Sequence, residues 1–145
     1  MNKKRVILLS SIIQVFLAAA LFLPAGKITG QAGQSETTLS VFEMIRRYAG
    51  MGFSNDALFF TIFSCCIPAL NLIFPHCLKK PMNFGIPTCL SAFHALVTAC
   101  FFSAARIKMV DSVGMTGLHY LMILFMIVAL FLYIDGYFME KQKPE

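Results

Sequence analysis

Apolar residues fall into four long runs separated by polar links. The runs are Val6 to Leu23, Ala57 to Phe74, Phe84 to Ala105 and Gly117 to Ile134. Each run is close to the roughly 20 residues that a helix needs to cross about 30 Å of hydrocarbon. The last three runs are joined by short links, which place consecutive helices side by side. The pattern predicts an all-α membrane protein, an antiparallel bundle of four transmembrane helices in a single membrane domain, residues 1–145.

Composition supports this prediction and excludes a water-soluble fold. The chain is 58% hydrophobic and 13% charged, whereas soluble domains are roughly 45–50% apolar and about 25% charged. The net charge of +5 gathers on no basic face of the kind that binds nucleic acid. We therefore expect the chain to lie in the lipid bilayer and to bind no nucleic acid.

Basic residues are distributed unequally between the two sides of the predicted bundle. Seven of the 12 lie before the first run, between the second and third, or after the fourth: Lys3, Lys4, Arg5, Lys79, Lys80, Lys141 and Lys143. The positive-inside rule then predicts a multi-pass protein of the plasma membrane with both termini in the cytoplasm. The first run also has the basic start of a signal peptide, but it is longer than a usual signal core, so we expect it to be retained as an anchor.

The largest outer segment, residues 24–56, is predicted to contain a hairpin and a helix. Residues 27–30 and 37–39 flank a glycine-containing turn at residues 31–35, which favours a short β-hairpin. Ser40 and Glu43 have the spacing of a capping box, which predicts a helix from Val41 to Ala49.

The predicted outer helix is amphipathic and carries two adjacent basic residues, Arg46 and Arg47. We weigh two interpretations of it. Either it lies flat on the outer leaflet, where Arg46 and Arg47 contact lipid phosphates or a partner, or it covers the end of the bundle. Gly50 is expected to end it.

Three polar residues, Gln14, Ser64 and His94, form the candidate midplane polar site. Gln14, His94 and the Cys65-Cys66 pair are expected at nearly the same depth when each run is centred in the bilayer. An ionisable residue at that depth is by default a functional hypothesis. The alternative is structural: a neutral His94 that hydrogen-bonds Gln14 or Ser64 and joins the helices.

Small and polar positions predict which helix faces are buried. In the third run, Ser91, Ala95, Ala99 and Ser103 recur every four residues and are predicted to form a helix-packing stripe. In the second run, Thr61, Ser64, Pro68 and Asn71 share one face. The fourth run is the most uniformly apolar, so its helix is expected to be the most exposed to lipid.

The five cysteines lie outside the predicted outer loops, which argues against disulfides. We expect them to act as small apolar side chains. Adjacent cysteines on a helix point about 100° apart, so Cys65 and Cys66 do not favour a shared metal. No metal site and no cofactor are therefore predicted.

No catalytic motif is present, because the chain lacks a Walker loop, a dinucleotide fingerprint, CxxC, HExxH and GxSxG. We therefore expect a non-catalytic integral membrane protein, an accessory subunit or interaction module that uses the outer loop and the helix faces. Its partner is expected to be another membrane protein or a second copy. The alternative is a small transporter or channel with a midplane polar site around His94. A lipid or quinone enzyme is a third option, supported only by the histidines and cysteines.

The chain resembles a group of small bacterial membrane proteins. Its basic start, the Leu23-Pro24 end of the first run and the Leu39-Ser40-Val41-Phe42 segment are similar to those of four-span Gram-positive proteins with no assigned activity. The long first and short second outer segments, with both termini inside, also resemble the claudin arrangement in topology. Tryptophan and outer-loop cysteines of the claudin signature are absent.

Overall fold

The computed structural model describes residues 2–28, 37–109 and 113–142, and the protein is mostly helical in them. Five helices and three short strands follow one another in the described residues. In order they are α1 (Lys3–Ala20), β1 (Pro24–Ile28), β2 (Thr37–Ser40), α2 (Val41–Gly50), α3 (Ser54–Cys77), α4 (Met82–Lys108), β3 (Gly114–Met115) and α5 (Leu118–Lys141).

The long helices pack in the cyclic order α1, α3, α4, α5. Helix α4 makes its most extensive contacts with α5 and α3, and α1 completes the ring by packing against α5 and α3. Three helices, α3, α4 and α5, are long and apolar enough to cross a membrane. Of these, α5 has the smallest buried share, which agrees with the lipid exposure expected from its sequence.

Helix α1 is as long as the predicted first run, 18 residues, but begins and ends three residues earlier. It starts at Lys3 and ends at Ala20, although the apolar run continues to Leu23. The chain leaves the helix there because the Leu21 and Leu23 carbonyls accept hydrogen bonds from the amides of Phe42 and Val41. The last apolar residues of the run therefore belong to a cap over the end of the long helices at which α1 terminates.

A three-stranded sheet in the order β2-β1-β3 forms part of this cap. Strands β1 and β2 pair antiparallel, from Ile28 with Thr37 to Pro24 with Ser40, which confirms the predicted hairpin arms. The predicted turn at residues 31–35 lies outside the described residues. Strand β3, which comes from the second outer link, pairs with Gly26 and Lys27 and was not predicted.

Gly26 is required where the two outer segments meet. A Cβ atom at this position would lie 2.7 Å from Val113 Cγ1 and 3.0 Å from Met44 Sδ. Next to it, the Thr116 amide donates to the Ala25 carbonyl at 2.9 Å. The central strand thus connects both outer segments and α2 into one cap.

Helix α2 begins with the predicted capping box. The Ser40 hydroxyl accepts from the Glu43 amide at 3.2 Å, and the Glu43 carboxylate accepts from the Ser40 amide at 2.7 Å. One apolar face of the helix, which includes Met44 and Tyr48, is buried, and the Tyr48 ring stacks on Phe53. Helix α2 therefore covers the end of the long helices, and its apolar face is occupied by the protein itself.

Helix α2 extends one residue beyond its predicted end at Ala49. Gly50 is its last residue, and the residue with positive φ is Gly52, at 97°. Helix α3 begins after Phe53 without a side-chain cap. Helix α4 begins after Pro81, so Asn83 lies in its first turn, where it is buried.

We expect the capping box to weaken in acid. Hydrogen bonds from the Ser40 backbone and hydroxyl lower the pKa of Glu43 below its ordinary value of 4.5. A lowered carboxyl pKa stabilises the fold above that ordinary value, and this contribution is lost as the pH falls through the folded-state pKa. The variant Glu43→Gln retains an N3 acceptor that does not titrate, so its unfolding midpoint should fall less than that of the wild type between pH 6 and pH 3. Parallel curves for the two proteins would contradict this.

Candidate functional site

The three residues of the candidate midplane site all lie inside the ring of long helices. Gln14 on α1, Ser64 on α3 and His94 on α4 are 1%, 1% and 2% exposed. Gln14 Oε1, Ser64 Oγ and His94 Nε2 are buried atoms without a hydrogen-bond partner among the described residues. The three helices thus turn these side chains inward, but the expected hydrogen bond from His94 Nε2 to Gln14 or Ser64 is not formed.

A network of polar side chains crosses the interior next to this site. The Tyr133 hydroxyl on α5 donates to the Asn71 carbonyl on α3 at 3.2 Å, and the Asn71 side-chain amide donates to Ser91 Oγ on α4 at 3.1 Å. The network therefore joins α3, α4 and α5. The sequence placed Asn71 on the buried face of its helix but gave no sign of the part played by Tyr133.

A second polar cluster lies at the end of the helices opposite the cap. Glu140 on α5 is buried, and its carboxylate forms an ion pair with Lys3 at the start of α1. The same oxygen accepts from the Asn83 side-chain amide on α4 at 3.1 Å. Glu140 Oε2 and Asn83 Oδ1 are buried without a partner. Sequence reasoning missed this cluster because residues 138–141 resemble an exposed helix end.

Helix geometry places these groups in a column along the interior. On α4, Asn83, Ser91, His94 and Thr98 are all buried. At about 1.5 Å per residue, Ser91 lies about 12 Å from Asn83 along the axis, and Thr98 lies about 10 Å further. We call this set, together with Gln14, Ser64, Asn71, Tyr133 and Glu140, the polar column.

Aromatic rings close the column at its outer end. Phe101 follows Thr98 by one turn, and its ring stacks on Phe60 with the centroids 4.0 Å apart. Phe102 lies edge-on to both rings, and Tyr48 of α2 lies edge-on to Phe101. Polar side chains therefore extend from the end opposite the cap to Thr98 and stop below an apolar layer.

The polar column contains buried polar atoms that have no hydrogen-bond partner among the described residues. Unpartnered buried atoms occur at each level: Glu140 Oε2, Asn83 Oδ1, Asn71 Oδ1, Gln14 Oε1, His94 Nε2, Ser64 Oγ and Thr98 Oγ1. Buried polar atoms are normally paired with protein or ordered water. The column is therefore suited to hold water or another hydrogen-bond donor, and no nucleophile paired with a base is seen along its described side chains.

The predicted packing stripe on α4 does not form a single buried face. Ser91 is buried, Ala95 and Ala99 are half-buried, and Ser103 is exposed. Steps of four residues advance about 40° beyond a full turn each time, so the stripe moves about 120° around the helix between Ser91 and Ser103. The buried face instead follows Ser91, His94, Thr98, Phe101 and Ala105.

The other predicted positions lie outside the polar column. Arg46 and Arg47 are exposed on the outer side of α2. All five cysteines are free and exposed on the helix surfaces, so they do not pack in the interior as small apolar side chains. Within the described residues, no three His, Cys, Asp or Glu side chains are grouped as metal ligands.

Comparison with known proteins gives no match: no family model, no curated protein and no solved structure is similar to this chain.

We expect His94 and Tyr133 to contribute modestly to stability. Interhelical hydrogen bonds in membranes average about 0.6 kcal/mol and reach about 1.7 kcal/mol. Tyr133→Phe removes the bond to the Asn71 carbonyl and should fall in that range, whereas His94→Leu, which removes an unpartnered acceptor, should cost about 1 kcal/mol or less. Unfolding by denaturing detergent measures both. If His94→Leu lowered the free energy of unfolding much more than Tyr133→Phe, the modest contribution expected of His94 would be wrong.

Proposed function

We propose that this chain is an integral membrane protein with four spans, one domain, and both termini on the cytoplasmic side of the plasma membrane. Three long apolar helices support this topology. Helix α1 packs along α3 and α5, and the Lys3–Glu140 pair places its start beside the end of α5. The basic residues at α1's first turn are the kind of flank that precedes a membrane span on the cytoplasmic side.

We propose that the protein acts as a non-catalytic accessory subunit or interaction module, and that the cap is its contact surface. The observation that carries this proposal is the orientation of α2. Its apolar face is buried on the protein, so Arg46 and Arg47 point away from the long helices and are exposed. They have no ion-pair partner in the described part of the chain.

The chemistry of this surface indicates the type of partner. A shallow hollow of about 300 Å³ is lined by Leu39, Glu43, Arg46 and Arg47. Two adjacent guanidinium groups favour carboxylate or phosphate groups, which they bind in a bidentate manner. The partner is therefore a second membrane protein, or a second copy of this chain, that presents acidic groups at the outer surface.

Site-specific photocrosslinking tests the cap as a contact surface. A photoreactive amino acid replaces Phe42, which is on α2 and about half exposed. In cells, irradiation should give an adduct of one defined mass. Arg46→Glu with Arg47→Glu should abolish that adduct, whereas the same charge reversal at Lys79 and Lys80, at the opposite end, should preserve it. No adduct, or one that survives reversal at Arg46 and Arg47, would overturn the proposal.

A second candidate function is a small transporter or channel whose midplane site is the polar column around His94. The observation that favours it is the set of unpartnered buried atoms on Gln14, Ser64 and His94. Purified protein in liposomes containing a pH-sensitive dye should carry protons or a small polar solute, and His94→Leu should reduce the flux while the protein stays folded. Flux equal to that of protein-free liposomes would overturn this candidate.

A further inference from the structure

An open apolar groove lies between the start of α4 and the end of α5. It has a volume of about 690 Å³ and is lined by Pro81, Met82, Gly85, Ile86, Thr88, Cys89, Leu90, Ile134, Tyr137 and Phe138. Thr88 Oγ1 donates to the Phe84 carbonyl of its own helix at 2.8 Å, so its hydroxyl is already engaged. The size is within the roughly 300–1,000 Å³ range of ligand sites, and the walls offer mainly hydrocarbon contacts.

Three lysines lie next in sequence to the residues that line the end of the groove facing away from the cap. Lys79 and Lys80 directly precede its first lining residues, and Lys141 lies one turn beyond Phe138. All three are exposed, and none has an ion-pair partner within the described residues. Glu140 is already paired with Lys3, so the half-buried Asp135 is the remaining acidic group on this part of α5.

We propose that this groove binds an anionic phospholipid, with an acyl chain along α4 and α5 and its phosphate near Lys79, Lys80 and Lys141. The apolar groove matches the acyl chain of such a lipid, and the unpaired lysines at its end match the phosphate. Basic pockets between helices on the cytoplasmic side are known to recognise anionic headgroups. The proposal depends on insertion into a membrane, but not on the role of the cap.

Charge argues against a second copy of the chain in the groove. A symmetric dimer uses the same surface on both subunits. Pairing through this groove would therefore bring two sets of three lysines together, and like charges repel each other most strongly near low-dielectric surroundings. An anionic lipid neutralises the same lysines.

Native mass spectrometry of the purified protein tests the proposal. The protein is equilibrated with equal amounts of phosphatidylglycerol and phosphatidylcholine, and the retained lipids are identified. Wild type should prefer phosphatidylglycerol by about tenfold or more. Lys79→Gln with Lys80→Gln should remove most of this preference. Lys4→Gln with Arg5→Gln removes the same charge at the same end of the bundle but away from the groove, and it should retain the preference.

A second, independent test places a larger side chain in the groove and measures lipid retention. A Cβ atom on Gly85 would make ordinary contact with the Tyr137 ring, at 3.5 Å, so Gly85→Leu extends into the groove and should reduce retention of both lipids. Gly50→Leu, on open surface, is its control. The proposal would be overturned if the wild type retained the two lipids equally. It would also be overturned if the Lys79/Lys80 variant and the Lys4/Arg5 variant kept the same lipid preference, or if a second copy of the chain were retained.

Discussion

Replacing Gly136 by alanine is expected to destabilise the protein by about 1–3 kcal/mol, the cost of overpacking a tight interface. Gly136 is buried on α5, and a Cβ atom there would lie 2.8 to 3.0 Å from three atoms of the Phe84 ring on α4. Small residues allow helices to approach closely in membranes. The added methyl group must therefore displace the ring or separate the helices.

Gly85 is a matched control on the facing helix. Its Cβ atom would meet only the Tyr137 ring, at 3.5 Å and 3.6 Å, which is ordinary contact. Alanine is favoured over glycine inside a helix by roughly 0.5–1 kcal/mol. Gly85→Ala should thus be neutral or slightly stabilising, so the two substitutions are expected to change the free energy of unfolding in opposite directions. Unfolding by denaturing detergent measures both.

A double-mutant cycle identifies the cause of the Gly136 effect. Phe84→Ala alone should cost about 3–5 kcal/mol, as is usual for loss of a large buried ring. In the Gly136→Ala background, Phe84→Ala should cost clearly less, because removing the ring also removes its clash with the added methyl group. If the two costs simply add, the contact between Gly136 and Phe84 is not the reason for the destabilisation.

The sequence contains enough information to predict several local elements and the buried face of α3, but not that of α4. Ser40 and Glu43 predict the start of α2 because a capping box depends on only four consecutive residues. The buried face of α3 follows from Ser64 and Asn71 because polar side chains in apolar helices turn inward. These signals are local, and tertiary contacts did not alter them.

Features that depend on distant contacts were not predictable in the same way. Strand β3 is two residues long and forms only because the second outer link lies beside Gly26 and Lys27. Helix α1 stops before its apolar run does because the amides of Val41 and Phe42 bind carbonyls just beyond it. Neither the pairing of β3 nor the early end of α1 produces a periodic pattern in its own segment of the sequence.

The candidate site was predicted in position but not in extent. Gln14, Ser64 and His94 stand out because polar residues are rare in apolar runs. Glu140 does not stand out, since a glutamate beside Lys141 at a helix end is ordinarily solvated. Its burial depends on Asn83 and Lys3, which are far away in the sequence. The polar column therefore extends to one end of the helices, whereas the sequence predicted a midplane site alone.

The cluster at that end is expected to respond strongly to removal of Lys3, the cation that pairs with Glu140 in the described part of the chain. Lys3→Met leaves the Glu140 carboxylate buried, with the Asn83 amide as its remaining donor. Breaking a fully buried pair costs about 3–5 kcal/mol, but the Lys3 side chain is 41% exposed, and screening reduces the value. We expect the free energy of unfolding to fall by about 1–3 kcal/mol.

Removing both partners should restore most of the stability. In Lys3→Met with Glu140→Met, two apolar side chains of similar length replace the pair, and such replacements are often neutral or stabilising. The double variant should therefore be more stable than Lys3→Met alone, although it carries one more substitution. Asn83 then loses its acceptor as well, so Asn83→Leu should cost less in the double variant than in the wild type. Unfolding free energies that simply add across these substitutions would show that Lys3, Asn83 and Glu140 act independently, and would exclude a coupled polar cluster at this end of the helices.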